Sequence, residues 1–174
     1  IKKSKIFLTQ LEVPQNVTLY CLKVAKANNV ITILNPAPAN KISKEFFSHI
    51  DYFTPNETEA EFYSGVKISN VKEAKEASMK LLNLGLKKVI ITLGEKGLFY
   101  YDGKEGIYIK AISIKNVLDT TGAGDAFNGG LAFALSKNYK NKEAIIFANK
   151  VAAISTTRSG AANSMPTIKE VENY

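Results

Sequence analysis

Cysteine and histidine are nearly absent from this sequence: its 174 residues include one of each, Cys21 and His49. A single cysteine excludes an internal disulfide and is typical of proteins in a reducing compartment, so we expect a cytoplasmic protein. Cys21 lies in an apolar helical pattern and is interpreted as a small core residue. Because no second cysteine or histidine lies near His49, which we expect at a helix end, a transition-metal site is not expected.

Arginine is equally scarce. The formal charge is +7, from 23 basic and 16 acidic residues, yet Arg158 is the only arginine. Nucleic-acid surfaces usually cluster their cations and use arginine for bidentate contacts, whereas the lysines here are scattered singly or in pairs. We therefore expect no nucleic-acid partner. No apolar stretch approaches the roughly 18 residues that span a bilayer, so no membrane partner is expected either.

The composition is that of a globular domain with a core, since 45% of the residues are hydrophobic and 22% are charged. Up to residue 93, β-branched runs alternate with amphipathic stretches. This alternation is typical of an α/β fold with a doubly wound, mainly parallel sheet and flanking helices. Strands are predicted at 6–11, 30–34, 52–54 and 88–93, and helices at 15–28, 43–49 and 69–84, with one more ending at Gly65.

Beyond residue 93 the pattern changes. The turns GEKG, YDG and KEG separate short strands at 98–101 and 107–109, which indicates antiparallel hairpins. Helices follow at about 125–138 and 142–157, with a short one after Thr167. Residues 1–174 are interpreted as one α/β unit. Because the sequence begins IKKSKIFLTQLEVP, without methionine, we expect it to be part of a longer protein.

The stretch LDTTGAGDAFNGGLAFAL, residues 118–135, places Gly122 and Gly124 directly before a predicted helix start. Two glycines let consecutive backbone N–H groups point at one spot, and the helix adds the positive end of its dipole. This combination predicts an anion-binding loop. The spacing is neither the P-loop pattern GxxxxGK[ST] nor the dinucleotide pattern GxGxxG.

Asp125 follows these glycines, and a carboxylate would repel a tightly held phosphate. Its presence is explained if the phosphoryl group is in transit, with Asp125 accepting the proton of an attacking hydroxyl while the loop N–H groups stabilise the transferred charge. The alternative is a tight loop in which Asp125 is only a helix cap.

Four motifs occur together and in order: NPAPA at 35–39, TPNETEAE at 54–61, ITLGEKG at 91–97 and DTTGAGDAFNGG at 119–130. In order and spacing they resemble those of the ribokinase-like carbohydrate kinases, the PfkB family. The resemblance covers essentially the whole chain and corresponds to the C-terminal half of that family and slightly more. Within the family, NPAPA and TPNETEAE are most similar to the kinases that act on D-ribose.

The resemblance implies roles for individual residues. Asp125 would be the catalytic base, which also contacts the sugar, and Glu12 would contact a sugar hydroxyl. Asn56 and Glu59 would organise Mg²⁺ and phosphate, although the same spacing is typical of a helix-capping box. The resemblance assigns the anion hole to Gly122, Ala123 and Gly124, and nucleotide contacts to Thr92, Leu93, Gly94, Glu95, Lys96, Gly97, Gly124 and Asn149.

The segment ISTTRSGAANSMP resembles the loop that completes a monovalent-cation site in this family, with K⁺ as the expected ion. An all-oxygen ligand set suits a hard, large cation. A plain structural loop is the alternative. The ligands implied are the carboxylate of Asp119, backbone oxygens of Thr121, Ser155, Arg158 and Gly160, and the hydroxyl of Ser164.

The N-terminal part of the family's fold, with most of the sugar pocket and the β-sheet lid, is not in this sequence. We therefore expect the 174-residue chain alone to phosphorylate ribose poorly or not at all. A homodimer of the full-length protein is possible. Sugar and ATP are the expected partners, and Mg²⁺ and K⁺ the expected ions. Fructokinase, adenosine kinase and a non-catalytic nucleotide-binding fragment remain alternatives.

Overall fold

The computed structural model describes all residues from Ile1 to Tyr174. The chain divides into two compact units, Ile1–Ile109 and Lys110–Tyr174.

The first unit is built on a six-stranded sheet whose strands follow one another in sequence order. The first four strands are parallel, and the last two form antiparallel pairs with their neighbours. The parallel strands read as buried β-branched and aromatic runs, as expected for a sheet covered by helices. The strands are β1 (Ile6–Thr9), β2 (Ile31–Leu34), β3 (Tyr52–Phe53), β4 (Val89–Thr92), β5 (Leu98–Tyr101) and β6 (Gly106–Ile109).

Three α-helices and two short 3₁₀ segments connect these strands. The second and third helices each begin at an asparagine whose side-chain oxygen accepts a backbone N–H three residues on, the usual N-cap arrangement. The elements are α1 (Gln15–Ala27), α2 (Glu57–Ser64) and α3 (Val71–Asn83), with 3₁₀ segments at Lys44–His49 and Gly94–Lys96.

The core of the first unit lies between the sheet and these helices. Phe53 packs edge-on against Tyr63 at 5.4 Å between ring centroids, and Phe47 contacts both rings. Leu81 of α3 and Ile91 of β4 are fully buried in the same cluster. The amphipathic spacing along 69–84 is therefore explained by burial of one face of α3 against the sheet.

The second unit is helical: α4 (Ala123–Ser136), α5 (Asn141–Ser155) and α6 (Ile168–Glu172), with a 3₁₀ segment at Ala162–Ser164. Helices α4 and α5 approach closely at Gly130, where an added Cβ would lie 2.9 Å from Val151 Cγ2 and 3.0 Å from Ala148 Cα. Any larger residue at 130 would push the two helices apart.

The predicted fold class is confirmed, as a mixed six-stranded sheet with flanking helices. Three details differ. The first strand ends at Thr9 and not at residue 11, and α4 begins at Ala123, two residues before the predicted start. Cys21, interpreted as a core residue, is only partly buried, whereas His49 ends a 3₁₀ segment as expected. None of the helices combines the length and the apolar character that crossing a bilayer demands.

Candidate active site

Asn35, the first residue of NPAPA, joins the carboxyl ends of three neighbouring strands. Its side-chain Nδ2 donates to the carbonyl of Thr54 at 2.9 Å, and its Oδ1 accepts from Nε2 of Gln10 at 2.9 Å. Its backbone N–H donates to the carbonyl of Thr9. The loops after β1, β2 and β3 are thus tied together at the edge of a parallel sheet where ligands usually bind.

Asn56 and Glu59 form a capping box at the start of α2. The Asn56 Oδ1 accepts the Glu59 N–H at 2.8 Å, and the Glu59 Oε2 accepts the Asn56 N–H at 2.9 Å. Asn56 also bridges Thr92 at the end of β4. The capping alternative is therefore present in the structure, and the same contacts bring the NxxE motif beside the first residue of TLGEKG.

Glu59 is buried, with 7% of its surface exposed. Burial raises its pKa above the ordinary value of 4.5, and the hydrogen bond from the Asn56 backbone opposes part of that rise. A buried carboxylate that keeps a raised pKa is under-solvated, so it favours a neighbouring cation or a proton.

TLGEKG forms a tight 3₁₀ turn between β4 and β5. The Leu93 N–H donates to the carbonyl of Gly97 at 2.8 Å, and Gly97 adopts φ 104°, which disfavours any other residue. Lys96 makes two hydrogen bonds to residues outside the turn. Its Nζ donates to the carbonyl of Ser69, and its carbonyl accepts the Tyr108 hydroxyl at 2.6 Å. Glu95 and Gly94 are exposed at the tip of the turn.

A shallow cavity of about 200 Å³ lies beside this turn. Its walls combine the apolar Leu93 and Val71 with the polar ends of Glu57, Lys96 and Tyr108.

In the second unit, Gly122 is the N-cap of α4. It adopts φ 77°, and an added Cβ would lie 3.1 Å from the Cβ of Ala161 and 3.2 Å from its Cα. Both reasons for a glycine, a left-handed backbone and a close approach, therefore hold at this position.

Gly124 differs from Gly122. It is exposed within the first turn of α4, and a Cβ built on it meets nothing within 4 Å. Packing within the fold therefore does not require glycine at position 124, and the surface in front of its backbone is open.

Asp125 is the third residue of α4 and is exposed. The interpretation of Asp125 as the cap is wrong, because Gly122 holds that place. The Ala123 N–H donates to the carbonyl of Thr120. The first turn of a helix leaves N–H groups without a partner inside the helix and is favourable for anions. The Asp125 carboxylate thus lies in a turn whose N–H groups are of the kind that favours anions.

Asp119 organises the loop that precedes α4. Its Oδ1 accepts the Thr121 N–H at 2.8 Å and its Oδ2 accepts the Gly160 N–H at 2.9 Å. These bonds lower its pKa from 3.8 to about 2, the bond from Gly160 contributing most. Asp119 is therefore ionised at neutral pH, and three of the predicted cation ligands lie together.

The other predicted cation ligands belong to the segment that follows α5. The Ser155 carbonyl accepts the Arg158 N–H at 3.2 Å, and the Arg158 guanidinium pairs with Glu170 of α6. The Ser164 hydroxyl is fully buried and donates to the carbonyl of Ala161.

The two remaining predicted residues are Asn149 and Glu12. Asn149 is buried in α5 and donates its Nδ2 to the carbonyl of Lys110 at 2.9 Å, a bond within the second unit. Glu12 is exposed, one residue after Leu11, whose N–H donates to the carbonyl of Ala37.

Sequence reasoning missed two asparagines, Asn35 and Asn128. Asn128 is buried in α4 and donates its Nδ2 to the carbonyl of Gly124 at 2.9 Å. Both asparagines lie inside motifs that were recognised, and an asparagine at an apolar helical position was the available signal for the second.

The sequence is similar to known proteins along most of its length. The family model described as "pfkB family carbohydrate kinase" matches residues 2–168. The chain belongs to this family. It is 42% identical to a ribokinase of Haemophilus influenzae over all of its length and 56% of that protein. It is 40% identical to a ribokinase of Staphylococcus aureus over 94% of the chain and 54% of that protein.

Solved structures show the same fold. A ribokinase of Arabidopsis thaliana, complexed with ribose and ATP, is 32% identical and superimposes with a TM-score of 0.95, over 99% of this chain and 56% of that one. A ribokinase of Thermotoga maritima is 41% identical and superimposes with a TM-score of 0.88, over 99% of this chain and 57% of that one. This pfkB-family chain thus spans a little over half the length of the relatives it matches.

The residues present fit the ions that the family implies. The structure contains no cluster of three or more histidine, cysteine or acidic residues that could hold a metal ion. The under-solvated Glu59 carboxylate would be a suitable oxygen ligand for Mg²⁺, which prefers a few carboxylates and several waters. The Asp119 carboxylate, which accepts the N–H groups of Thr121 and Gly160, would be a hard oxygen ligand of the kind that suits K⁺.

Proposed function

We propose that the protein containing this chain is an ATP-dependent sugar kinase that converts D-ribose to D-ribose 5-phosphate. The observation that carries the proposal is Asp125, an exposed carboxylate in the first turn of α4, directly behind an N-cap glycine and the open backbone of Gly124. A binding-only loop gains nothing from a negative charge at that place, whereas a phosphoryl-transfer site needs one to accept a proton.

In the proposed reaction, Asp125 accepts the proton of the attacking sugar hydroxyl while the hydroxyl oxygen forms a bond to the γ-phosphorus of ATP. The bond from that phosphorus to the bridging oxygen breaks, and ADP leaves. The N–H groups at the start of α4 stabilise the charge on the transferred group, a contribution of roughly 3–4 kcal/mol for each well-placed donor.

The first unit is proposed to hold the nucleotide. Asn56 and Glu59 would hold Mg²⁺ through its water shell, and bound Mg²⁺ supplies neutralisation of phosphate charge. Glu12 is proposed to bind a sugar hydroxyl. Asn149, which belongs to the second unit, is proposed to contact the adenine. The turn from Thr92 to Gly97 is proposed to follow the phosphates.

The second unit is proposed to hold the base and the monovalent cation. Asp119 links the glycine loop to Gly160 through a hydrogen bond. It would bind K⁺ together with backbone oxygens of that loop and of the segment after α5. The role proposed for the ion is to fix the geometry of the loop, without touching the substrate.

Ribose is favoured over related sugars by the relatives. Ribokinases reach 40% and 42% identity, whereas a deoxyribokinase of Salmonella typhi reaches 31%. The structural neighbour from Arabidopsis thaliana is complexed with ribose and ATP.

The decisive experiment replaces Asp125 by Asn in the full-length protein, with Glu143→Gln as control. Glu143 occupies the same third position of α5 and accepts a backbone N–H there. We expect Asp125→Asn to lower turnover with ribose by at least about 10²-fold, as for loss of a positioned base, while ATP binding and the control are unchanged. Unchanged turnover in Asp125→Asn would remove this residue from the mechanism.

Substrate choice is tested by assaying the wild-type protein with ribose, deoxyribose, fructose and adenosine. The largest kcat/KM is expected with ribose. A larger value with fructose or adenosine would assign the protein to another kinase of the family. ATP binding without transfer to any of the four would support a nucleotide-binding module.

A further inference from the structure

Asn128 is an unusual residue for its place. It lies in the second turn of α4, is 4% exposed, and is flanked by the buried Phe127 and by two glycines. Asparagine is a poor helix former and is costly to bury without hydrogen bonds. Its side chain is therefore expected to make a specific contact, and Nδ2 donates to the carbonyl of Gly124 at 2.9 Å.

The bonded carbonyl belongs to the peptide unit between Gly124 and Asp125. In an α-helix this carbonyl is also the acceptor of the Asn128 backbone N–H, four residues on. The side chain supplies a second donor to an oxygen that has two lone pairs. Because the peptide unit is planar, fixing the carbonyl also fixes the direction of the Asp125 N–H on its other side.

This peptide unit needs such support because the start of α4 is weakly helical. Residues 122–130 contain four glycines, and each glycine in a helix loses more backbone entropy than alanine does. Gly130 is required by the close approach of α5, and Gly124 leaves the surface in front of the loop open. Replacing Gly130 would disturb the packing against α5, and replacing Gly124 would fill the open surface. A side chain from the next turn can stiffen the helix start while both of these glycines are retained.

We propose that Asn128 is a positioning residue, whose amide holds the Gly124–Asp125 peptide so that the Asp125 carboxylate and N–H keep the geometry for phosphoryl transfer. The inference rests on the proposed function, because it concerns the same turn of α4. Asn128 acts through Gly124 and Asp125 and is not assigned any contact with a substrate.

The test uses two variants of nearly equal shape in the full-length protein, Asn128→Thr and Asn128→Val. A threonine hydroxyl in a helix can donate to the carbonyl four residues back, whereas valine cannot. Because both are β-branched, their helix-forming tendencies and volumes are similar. The pair therefore differs mainly in the donor to Gly124.

We expect the single-turnover rate of ribose phosphorylation in Asn128→Val to be about 10- to 100-fold below that in Asn128→Thr, as for small misplacements of reacting groups. The Kd for ATP and the melting temperature should be alike in the two variants. Equal rates in the two variants would overturn the inference. A rate difference matched by an equal loss of ATP binding would also overturn it, since both losses would then follow from general disorder.

Asn128→Ser and Asn128→Ala repeat the comparison with smaller side chains, in case the β-branched pair does not fold. Asp125→Asn, measured in parallel, separates this inference from the proposed function. If Asp125→Asn abolishes transfer but the Thr and Val variants agree, only the positioning role fails. If Asp125→Asn leaves transfer intact, the proposed function itself fails.

Discussion

The carboxylate of Asp119 binds the backbone N–H of Gly160, 41 residues further along the chain, at 2.9 Å. Its second oxygen binds the Thr121 N–H. One side chain thus joins the loop before α4 to the segment after α5. The loop that leads into the proposed catalytic turn is therefore bonded to the segment after α5.

The ionisation of Asp119 gives the first prediction. Its pKa of about 2, against 3.8, means that the folded state favours the charged form. The corresponding stability is present above about pH 4 and is lost as the pH falls towards 2. A carboxyl ¹³C titration should give a midpoint near pH 2. The urea midpoints of wild type and Asp119→Asn should differ at pH 7 and converge on acidification, and a titration midpoint at or above 3.8 would contradict the two hydrogen bonds.

The two glycines of the loop should respond differently to alanine. Gly122→Ala places a side chain in left-handed backbone and against Ala161, so we expect a loss of about 1–3 kcal/mol in the free energy of unfolding. Gly124→Ala meets no atom and sits in a helix, so stability should be unchanged or rise by up to about 1 kcal/mol.

The same Gly124→Ala variant should nevertheless lose phosphoryl transfer, because its methyl group would fill the space proposed for the phosphate. Thermal melts and initial rates measure the two effects. Full activity in Gly124→Ala would show that this space is not used in the reaction.

Asn56 and Asn70 provide a matched pair of helix caps. Each accepts a backbone N–H from the residue three further on, at 2.8 Å and 3.1 Å. Replacement by alanine should cost about 1 kcal/mol of stability in either case. Only Asn56→Ala should also raise the Mg²⁺ concentration needed for half-maximal activity. An equal rise in the Mg²⁺ requirement of Asn70→Ala would mean that Asn56 acts only as a helix cap.

Glu59 should show a conflict between stability and function. Burial raises its pKa, so the folded state binds more protons than the unfolded state around that pKa, and stability falls as the pH rises through it. Glu59→Gln removes this pH dependence and keeps an oxygen that can accept the Asn56 N–H. We expect the variant to be at least as stable as wild type at pH 7 but to need more Mg²⁺. Urea unfolding at pH 5 and pH 7 measures the first effect, and a stability loss at pH 7 would contradict it.

Much of the fold could be predicted because strand and helix periodicities are local. The buried run at 88–93 and the amphipathic run at 69–84 correspond to β4 and α3 within three residues at either end. The start of α4 was misplaced because an acidic residue is a common cap, whereas the left-handed backbone that makes Gly122 the cap has no equally plain pattern.

The sequence indicated individual residues of the candidate site but not the hydrogen bonds that connect residues distant in the chain. The glycine loop and the NxxE pattern carry residue types whose chemistry is recognisable from spacing. The bonds of Asn35 to Gln10 and Thr54 join residues 25 and 19 positions apart, and only the register of the parallel strands brings them together. The bond from Asn128 to Gly124 depends on a side-chain rotamer that composition does not reveal.

The amide of Asn35 has a practical consequence for protein engineering. Since a single side chain fastens three connecting loops, exchanging any one of them with that of a homologue also disturbs the other two. Chimaeras that aim to alter sugar preference should therefore transplant all three connections as a set, with the asparagine retained.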